Sequence, residues 1–298
     1  MSIQPETSPY FRLMRLHQPT GIFLLLWPCL WSLAFSYGNS FDLQYLYYLG
    51  LFATGAIIMR SSGCVINDII DRKIDAEVER TKTRPLASGE LRLWQAIVLL
   101  VILLSIGLAI LLTLNWLTIQ IGIGAVIMIS LYPLMKRITY WPQAFLAITF
   151  NLGAIMAWTA INNEITITPI LIYFSCILWT LGYDTIYAHQ DKSYDEKIGI
   201  KSTALKFKNN TKIYLTLFYG TLILLLLYIG ILNNYGILYK AIIILALTQL
   251  FWQVCTVNLD SPGDCMKKFK SNTYFGAIVF FSILLDNTLR NLFKFINV

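Results

Sequence analysis

The chain has 298 residues, 57% of them hydrophobic and only 13% charged, about half the charged share of an ordinary soluble domain. A water-soluble fold of this length needs a charged shell that 39 charged side chains cannot supply. Mean hydropathy is +0.62 and the formal net charge is +7; in a chain of long apolar runs that basic balance is the signature of a membrane protein with bases gathered in loops on one side. It is not the signature of a nucleic-acid binder. Lipid is the solvent for most of the sequence.

Taken in chain order, runs of about 20 apolar residues predict spans over Thr20–Tyr37, Tyr45–Ile66, Leu93–Thr113, Trp116–Leu134, Pro142–Ile161, Thr168–Ala188, Ile213–Leu232, Ile237–Val257 and Thr273–Phe293. Leu-rich stretches such as Ile97–Leu112 exclude a barrel of short alternating strands. The expected fold is therefore all-α: one polytopic domain over residues 1–298, nine transmembrane helices bundled around a central cavity open to the cytoplasmic side. With nine crossings, 20 of the 23 Lys and Arg fall on one face, which predicts a cytoplasmic N-terminus and a periplasmic C-terminus. The segment around Arg12 and Arg15 lacks a small-residue cleavage site and is not an Arg- and Ser-rich transit segment, so the expected location is a bacterial inner membrane. The five cysteines show no C-x-x-C spacing, and neither a disulfide nor a zinc site is assigned to them.

Two connections on the basic face, from Asn67 to Arg92 and from Asp191 to Lys212, are long enough to be functional. Ten of the 16 acidic residues fall in or beside them. At 100° per residue, Asn67, Asp68, Asp71 and Asp75 share an arc of about 100° on one helix face, and Asp184, Asp191 and Asp195 share about 40°. Carboxylates stacked one turn apart repel each other unless a cation lies between them. Oxygen donors without a histidine cluster suit Mg²⁺, which prefers one or two carboxylates plus substrate phosphates. The metal residues read from this pattern are Asn67, Asp68, Asp71, Asp75, Asp191 and Asp195. Neighbouring bases, among them Arg60, Lys73, Arg80, Arg84, Lys136, Arg137 and Lys192, suit phosphate oxygens. Acids, a divalent ion, cations and an apolar cavity together describe a diphosphate on a greasy tail.

These residues also carry a family resemblance. Asn67-Asp-x-x-Asp71-x-x-x-Asp75 followed by Arg80-Thr-Lys-Thr-Arg-Pro-Leu-Ala-Ser-Gly89 resembles the first signature of the UbiA superfamily of intramembrane prenyltransferases. Tyr183-Asp-Thr-Ile-Tyr-Ala-His-Gln-Asp191-Lys-Ser-Tyr-Asp195 resembles the second. Leu13 to Gly21, Tyr132-Pro-Leu-Met-Lys-Arg137 and Trp141-Pro-Gln143 are similar to the branch that prenylates 4-hydroxybenzoate, and the resemblance covers nearly the whole chain. It implies Mg²⁺-dependent transfer of a polyprenyl group from its diphosphate to the ring carbon ortho to the hydroxyl of 4-hydroxybenzoate, in ubiquinone synthesis. On that reading Lys73, Arg80, Arg84, Lys136, Arg137, Tyr183 and Lys192 bind substrate, with Lys73 and Arg84 favoured for the diphosphate. Arg137 holds the acceptor's carboxylate, Asp191 takes the phenol proton, and Tyr132, Tyr183 or Tyr187 shields the allylic cation. The alternatives are another aromatic acceptor, such as a naphthoate, homogentisate or haem, and a transporter of an organic anion or metal. Oligomeric state and prenyl chain length leave no trace in the sequence.

Overall fold

A computed structural model describes residues 7–38, 42–78, 81–192, 194, 196 and 199–296, and among them every regular element is a helix. In chain order these are α1 (Pro9–Leu13), α2 (Thr20–Tyr37), α3 (Leu43–Glu77), α4 (Leu93–Leu112), α5 (Trp116–Ile138), α6 (Pro142–Phe150), α7 (Leu152–Asn162), α8 (Ile167–Ala188), the short α9 (Thr203–Phe207), α10 (Thr211–Leu232), α11 (Ile237–Thr256) and α12 (Pro262–Ile296). Among the described residues, seven helical segments are long and apolar enough to cross a membrane: α2, α3, α4, α6 with α7, α8, Thr203–Leu232 and α11. In α5 the apolar part is the shorter Trp116–Tyr132, and α12 carries Lys267, Lys268, Lys270 and Arg290 along its length.

Two features depart from the expected spans. α3 continues to Glu77, 35 residues in all and about 52 Å long, so the first acidic motif sits on the last turns of a helix that outruns a ~30 Å hydrocarbon core. The segment read as Pro142–Ile161 is broken at Asn151. The Asn151 amide donates to Ala147 O at 2.8 Å and Cys176 O at 3.2 Å. A side chain that competes with the backbone ladder in this way bends or interrupts a helix.

The core lies where α2 meets α8 and α12. Trp31 stacks on Trp179 with ring centroids 5.2 Å apart, and both rings pack against Phe275. Their indole nitrogens are satisfied across helices, Trp31 Nε1 donating to Gly276 O and Trp179 Nε1 to Asn272 Oδ1, each at 2.9 Å. α8 also packs along α10, where Gly182 permits the approach: a Cβ there would lie 2.2 Å from the Tyr219 ring. On the outside, Val98, Val101, Ile102 and Leu112 of α4 and Leu217, Leu224 and Ile231 of α10 are exposed. Such faces are stable only against lipid.

Candidate active site

A cavity of about 720 Å³ is enclosed by α2 to α8 with residues from α12. Its walls are mostly apolar, with Leu24, Met59, Leu104, Leu111, Val126 and Met156 among them, and one end is polar. There the terminal turns of α3 bring Asn67, and the segment after α8 brings Asp191, into one space with Arg15, Arg84 and Lys270. One residue of each motif, Asn67 and Asp191, thus lines the same cavity.

The acids of α3 do not share one environment. Asp68 is 2% exposed, and its Oδ1 accepts from Arg15 at 2.7 Å and from Arg84 at 3.2 Å. Asp75 Oδ2 accepts from Arg84 at 2.6 Å. Two carboxylates two turns apart on α3 thereby share the Arg84 guanidinium, which offsets their mutual repulsion. Thr81 closes the turn after α3 by donating to Asp75 O at 3.0 Å, and Arg12 is ion-paired with Glu90. Burial works against the charge on Arg15, but the fields of Cys64, Asp68 and Tyr187 outweigh it and raise its pKa. His189, just beyond α8, faces Thr211, and burial followed by the nearby Lys192 pushes its pKa down to about 4. It stays neutral beside the acids.

Of the residues singled out from sequence, Arg60, Asn67, Arg84, Tyr132, Tyr183, Asp184, Tyr187 and Asp191 line the cavity. Asp68 and Asp75 sit behind that lining on Arg84, and Asp71 is half-buried on the same helix. Lys192 is half-buried after α8, whereas Lys73 and Arg137 are exposed and outside the cavity lining. Arg80 and Asp195 lie outside the described residues, and so does the side chain of Lys136, which belongs to α5.

Two arginines carry more of the site than the sequence reading gave them. Arg15, with a left-handed φ of 55° in the turn between α1 and α2, reaches Asp68 from 53 residues away. Arg60 lies two turns deeper in α3 than Asn67, lines the apolar part of the cavity, and has no ion-pair partner among the described residues. Gly21 makes its place: a Cβ there would come within 2.3 Å of Arg60 Nε. An arginine in the middle of an apolar run, with a glycine opposite, was the available signal.

An apolar intramembrane chamber capped by arginines and acids defines a protein that takes an amphiphile with an anionic head. The chain belongs to the UbiA prenyltransferase family, whose model matches residues 25–284. It is 46% identical over 285 residues to a mitochondrial 4-hydroxybenzoate polyprenyltransferase of Drosophila pseudoobscura pseudoobscura, covering 95% of this chain and 72% of that one. It is likewise 46% identical over 286 residues to a mitochondrial 4-hydroxybenzoate polyprenyltransferase of Arabidopsis thaliana, covering 96% and 70%. Among solved structures, a UbiA homologue from Archaeoglobus fulgidus bound to GPP and Mg²⁺ superposes with a TM-score of 0.68 at 21% identity, covering 93% of this chain and 99% of that one.

These relatives correct the expected location. The two enzymes similar over nearly the whole chain are mitochondrial, which overturns the bacterial inner membrane and, with it, the cytoplasmic and periplasmic labels for the two ends. The expectation rested on the lack of a transit-like composition around Arg12 and Arg15, and the lack of one signal names no membrane; charge asymmetry, for its part, distinguishes one face of a bilayer from the other. It carries no information on which bilayer that is.

Proposed function

We infer that this chain transfers a polyprenyl group from polyprenyl diphosphate to the ring carbon ortho to the hydroxyl of 4-hydroxybenzoate, releasing diphosphate, in ubiquinone biosynthesis. The observation that carries the assignment is the cavity itself: apolar along its length, closed at one end by Asn67, Arg15, Arg84 and Asp191, in a chain 46% identical to enzymes of that name. Residues 1–298 act as one transmembrane domain of nine crossings, with α5 and α12 adding to the seven apolar spans and the cavity opening to the basic face.

In this reading Arg84 and Arg15 grip the diphosphate, and Asp68 positions both of them. Lys270 adds charge from α12; Lys73, Arg80, Lys136 and Lys192 surround the mouth and raise the local concentration of the anionic donor. The oxygen donors fit Mg²⁺. Among the described residues no three His, Cys, Asp or Glu side chains form a cage, the arrangement expected when substrate phosphates complete the coordination. Asn67, Asp71 and Asp75 from α3, with Asp191 and Asp195 beyond α8, would hold it, and when bound it supplies positive charge for the departing diphosphate.

The apolar walls exclude water from the allylic carbon as its C–O bond breaks, and Tyr132 and Tyr187 present aromatic faces to the charge that develops there. The acceptor's carboxylate pairs with Arg60, which takes the role first read for Arg137 because it lies inside the cavity and Arg137 does not. Asp191 accepts the phenol proton, which enriches the ortho carbon; that carbon forms the new C–C bond as the C–O bond to diphosphate breaks, then loses its own hydrogen as a proton to the departing diphosphate while Asp191 returns the phenol proton, and the ring is aromatic again.

Purified membranes given 4-hydroxybenzoate, a short prenyl diphosphate and Mg²⁺ form the ortho-prenylated acid, and EDTA or Asp191→Asn stops it. Product at the native rate after metal removal sinks the metal assignment. Product only with a different aromatic acid sinks the acceptor.

A further inference from the structure

Arg15 and Arg84 come from segments far apart in sequence, yet they converge on one atom: both donate to Asp68 Oδ1, at 2.7 and 3.2 Å. Two guanidinium groups brought to one oxygen repel each other. Arg15 also holds a left-handed φ of 55°, a conformation that a residue with a side chain keeps only where its surroundings impose it. Asp68 alone does not account for that turn, so other contacts must fix it.

The residues just before Arg15 supply them. Leu13 is fully buried in a small cluster with Val65, Leu86 and Leu91. Tyr10 is held by Gln95, whose amide oxygen accepts from Arg92 N at 2.8 Å and whose nitrogen donates to the Tyr10 hydroxyl at 3.1 Å. Arg12 is ion-paired with Glu90, both carboxylate oxygens facing one guanidinium nitrogen. Leu86, Glu90, Leu91 and Gln95 all belong to the stretch that begins just after Arg84 and runs into α4. α1 is therefore fastened at three points to the segment that carries the second arginine. The three are unequal. Burial of Leu13 is non-directional, and the bond from Gln95 is between neutral groups, whereas the Arg12 pair is charged, directional and only three residues ahead of Arg15.

We propose that Glu90 is a positioning residue for the diphosphate donor: through Arg12 it holds α1 on the stretch after Arg84, so that Arg15 and Arg84 present their guanidinium groups to one diphosphate. Glu90 and Arg12 are both outside the cavity lining and touch no substrate. The inference rests on the reading that the two arginines grip the diphosphate, and it adds what sets their separation. An acid near a basic mouth could act instead through its field, which would weaken the attraction of an anion. The two roles differ in sign. Reversing the charge of Glu90 strengthens that field and tightens donor binding if the field is what matters; if position matters, reversal sets two cations against each other, loosens α1 and weakens binding.

Equilibrium binding of a short prenyl thiolodiphosphate, which does not ionise, to the purified full chain with Mg²⁺ separates them. Glu90→Arg and Arg12→Glu each weaken it about 3- to 10-fold, and the double exchange of Arg12→Glu with Glu90→Arg restores it to within about twofold of wild type. Affinity for 4-hydroxybenzoate and Tm in detergent stay at their wild-type values in all three. Tighter or unchanged donor binding in Glu90→Arg overturns the proposal, as does a double exchange that fails to restore it. An equal loss of 4-hydroxybenzoate binding or a collapsed Tm shows a general defect of the fold and overturns it too. If Arg15→Gln and Arg84→Gln bind the thiolodiphosphate as the wild type does, the diphosphate reading itself falls first and takes the role of Glu90 with it.

Discussion

Asp68 and Asp71 are three residues apart on one helix, yet their burial differs: Asp71 is half-buried, and Asp68 is buried against Arg15 and Arg84. A carboxylate in that position is the pivot of a charge network. Replacing it with Asn keeps an acceptor oxygen but removes the negative charge that Arg15 and Arg84 share, and because both arginines keep some exposure the expected loss of stability is about 1–3 kcal/mol. Asp68→Asn should accordingly lower Tm by several degrees in a thermal-shift measurement and raise the KM for prenyl diphosphate. Acceptor KM should hold. The sequence grouped Asp68 with the metal ligands because spacing along α3 is all it displays; the partners that set it apart come from 16 and 53 residues away. Arg60 and Arg137 make a matching contrast. Both are bases near apolar runs, but one lines the cavity and the other is exposed. Arg60→Gln is expected to raise the acceptor's KM about 10- to 100-fold, the range for a charge-assisted hydrogen bond, and Arg137→Gln to change it less than about twofold. Equal effects in steady-state assays would return the carboxylate to Arg137 in the last turn of α5.

At the scale of elements, the apolar runs marked where helices cross, and composition could do little more. That α3 carries its acidic motif on continuous helix was only partly visible: the 100° arc of Asn67 to Asp75 presumes a helix, but the run of charges after Ile66 looks like a loop in any hydropathy reading. The break at Asn151 was invisible, because the contacts that hold its amide include Cys176 O and Thr180, 25 and 29 residues on. Close approach between helices is similarly unreadable from a lone glycine. Gly182 lies under the Tyr219 ring, and an added Cβ would stand 2.2 Å from Cε1. Tyr219 is fully buried and its hydroxyl donates to Gln253 Oε1 at 3.2 Å, so the ring cannot swing away without losing that bond. Gly182→Ala should therefore force α8 and α10 apart at a cost of about 1–3 kcal/mol, seen as a lower Tm in detergent. Gly21→Ala meets instead the flexible end of Arg60. Its expected effect is a weaker acceptor KM at nearly native Tm, and the reverse pattern in either variant would contradict these placements.

Across the whole molecule the decisive quantity is the sidedness of charge. With nine crossings, 20 of 23 Lys and Arg share a face; treating α5 as a surface helix would reverse every later connection and scatter the bases over both faces. The physical case for α5 as a crossing is therefore electrostatic rather than hydropathic, since its apolar part ends at Tyr132 while the helix runs on to Ile138. Lys and Arg at such an end can snorkel to the interface, which shortens the apolar stretch a crossing requires. The side on which each connection lies can be read by thiol labelling. In a chain whose exposed Cys255 is replaced by Ser, single cysteines at Ser88, Asn115, Tyr140 and Asn163 lie in the successive connections from α3 to α8. In sealed vesicles of one orientation, a membrane-impermeant maleimide added outside should label Ser88→Cys and Tyr140→Cys alike and Asn115→Cys and Asn163→Cys oppositely. Labelling of Asn115→Cys together with Tyr140→Cys would mean that α5 does not cross, and the polar end of the cavity would then lose the single basic face that draws a diphosphate to it.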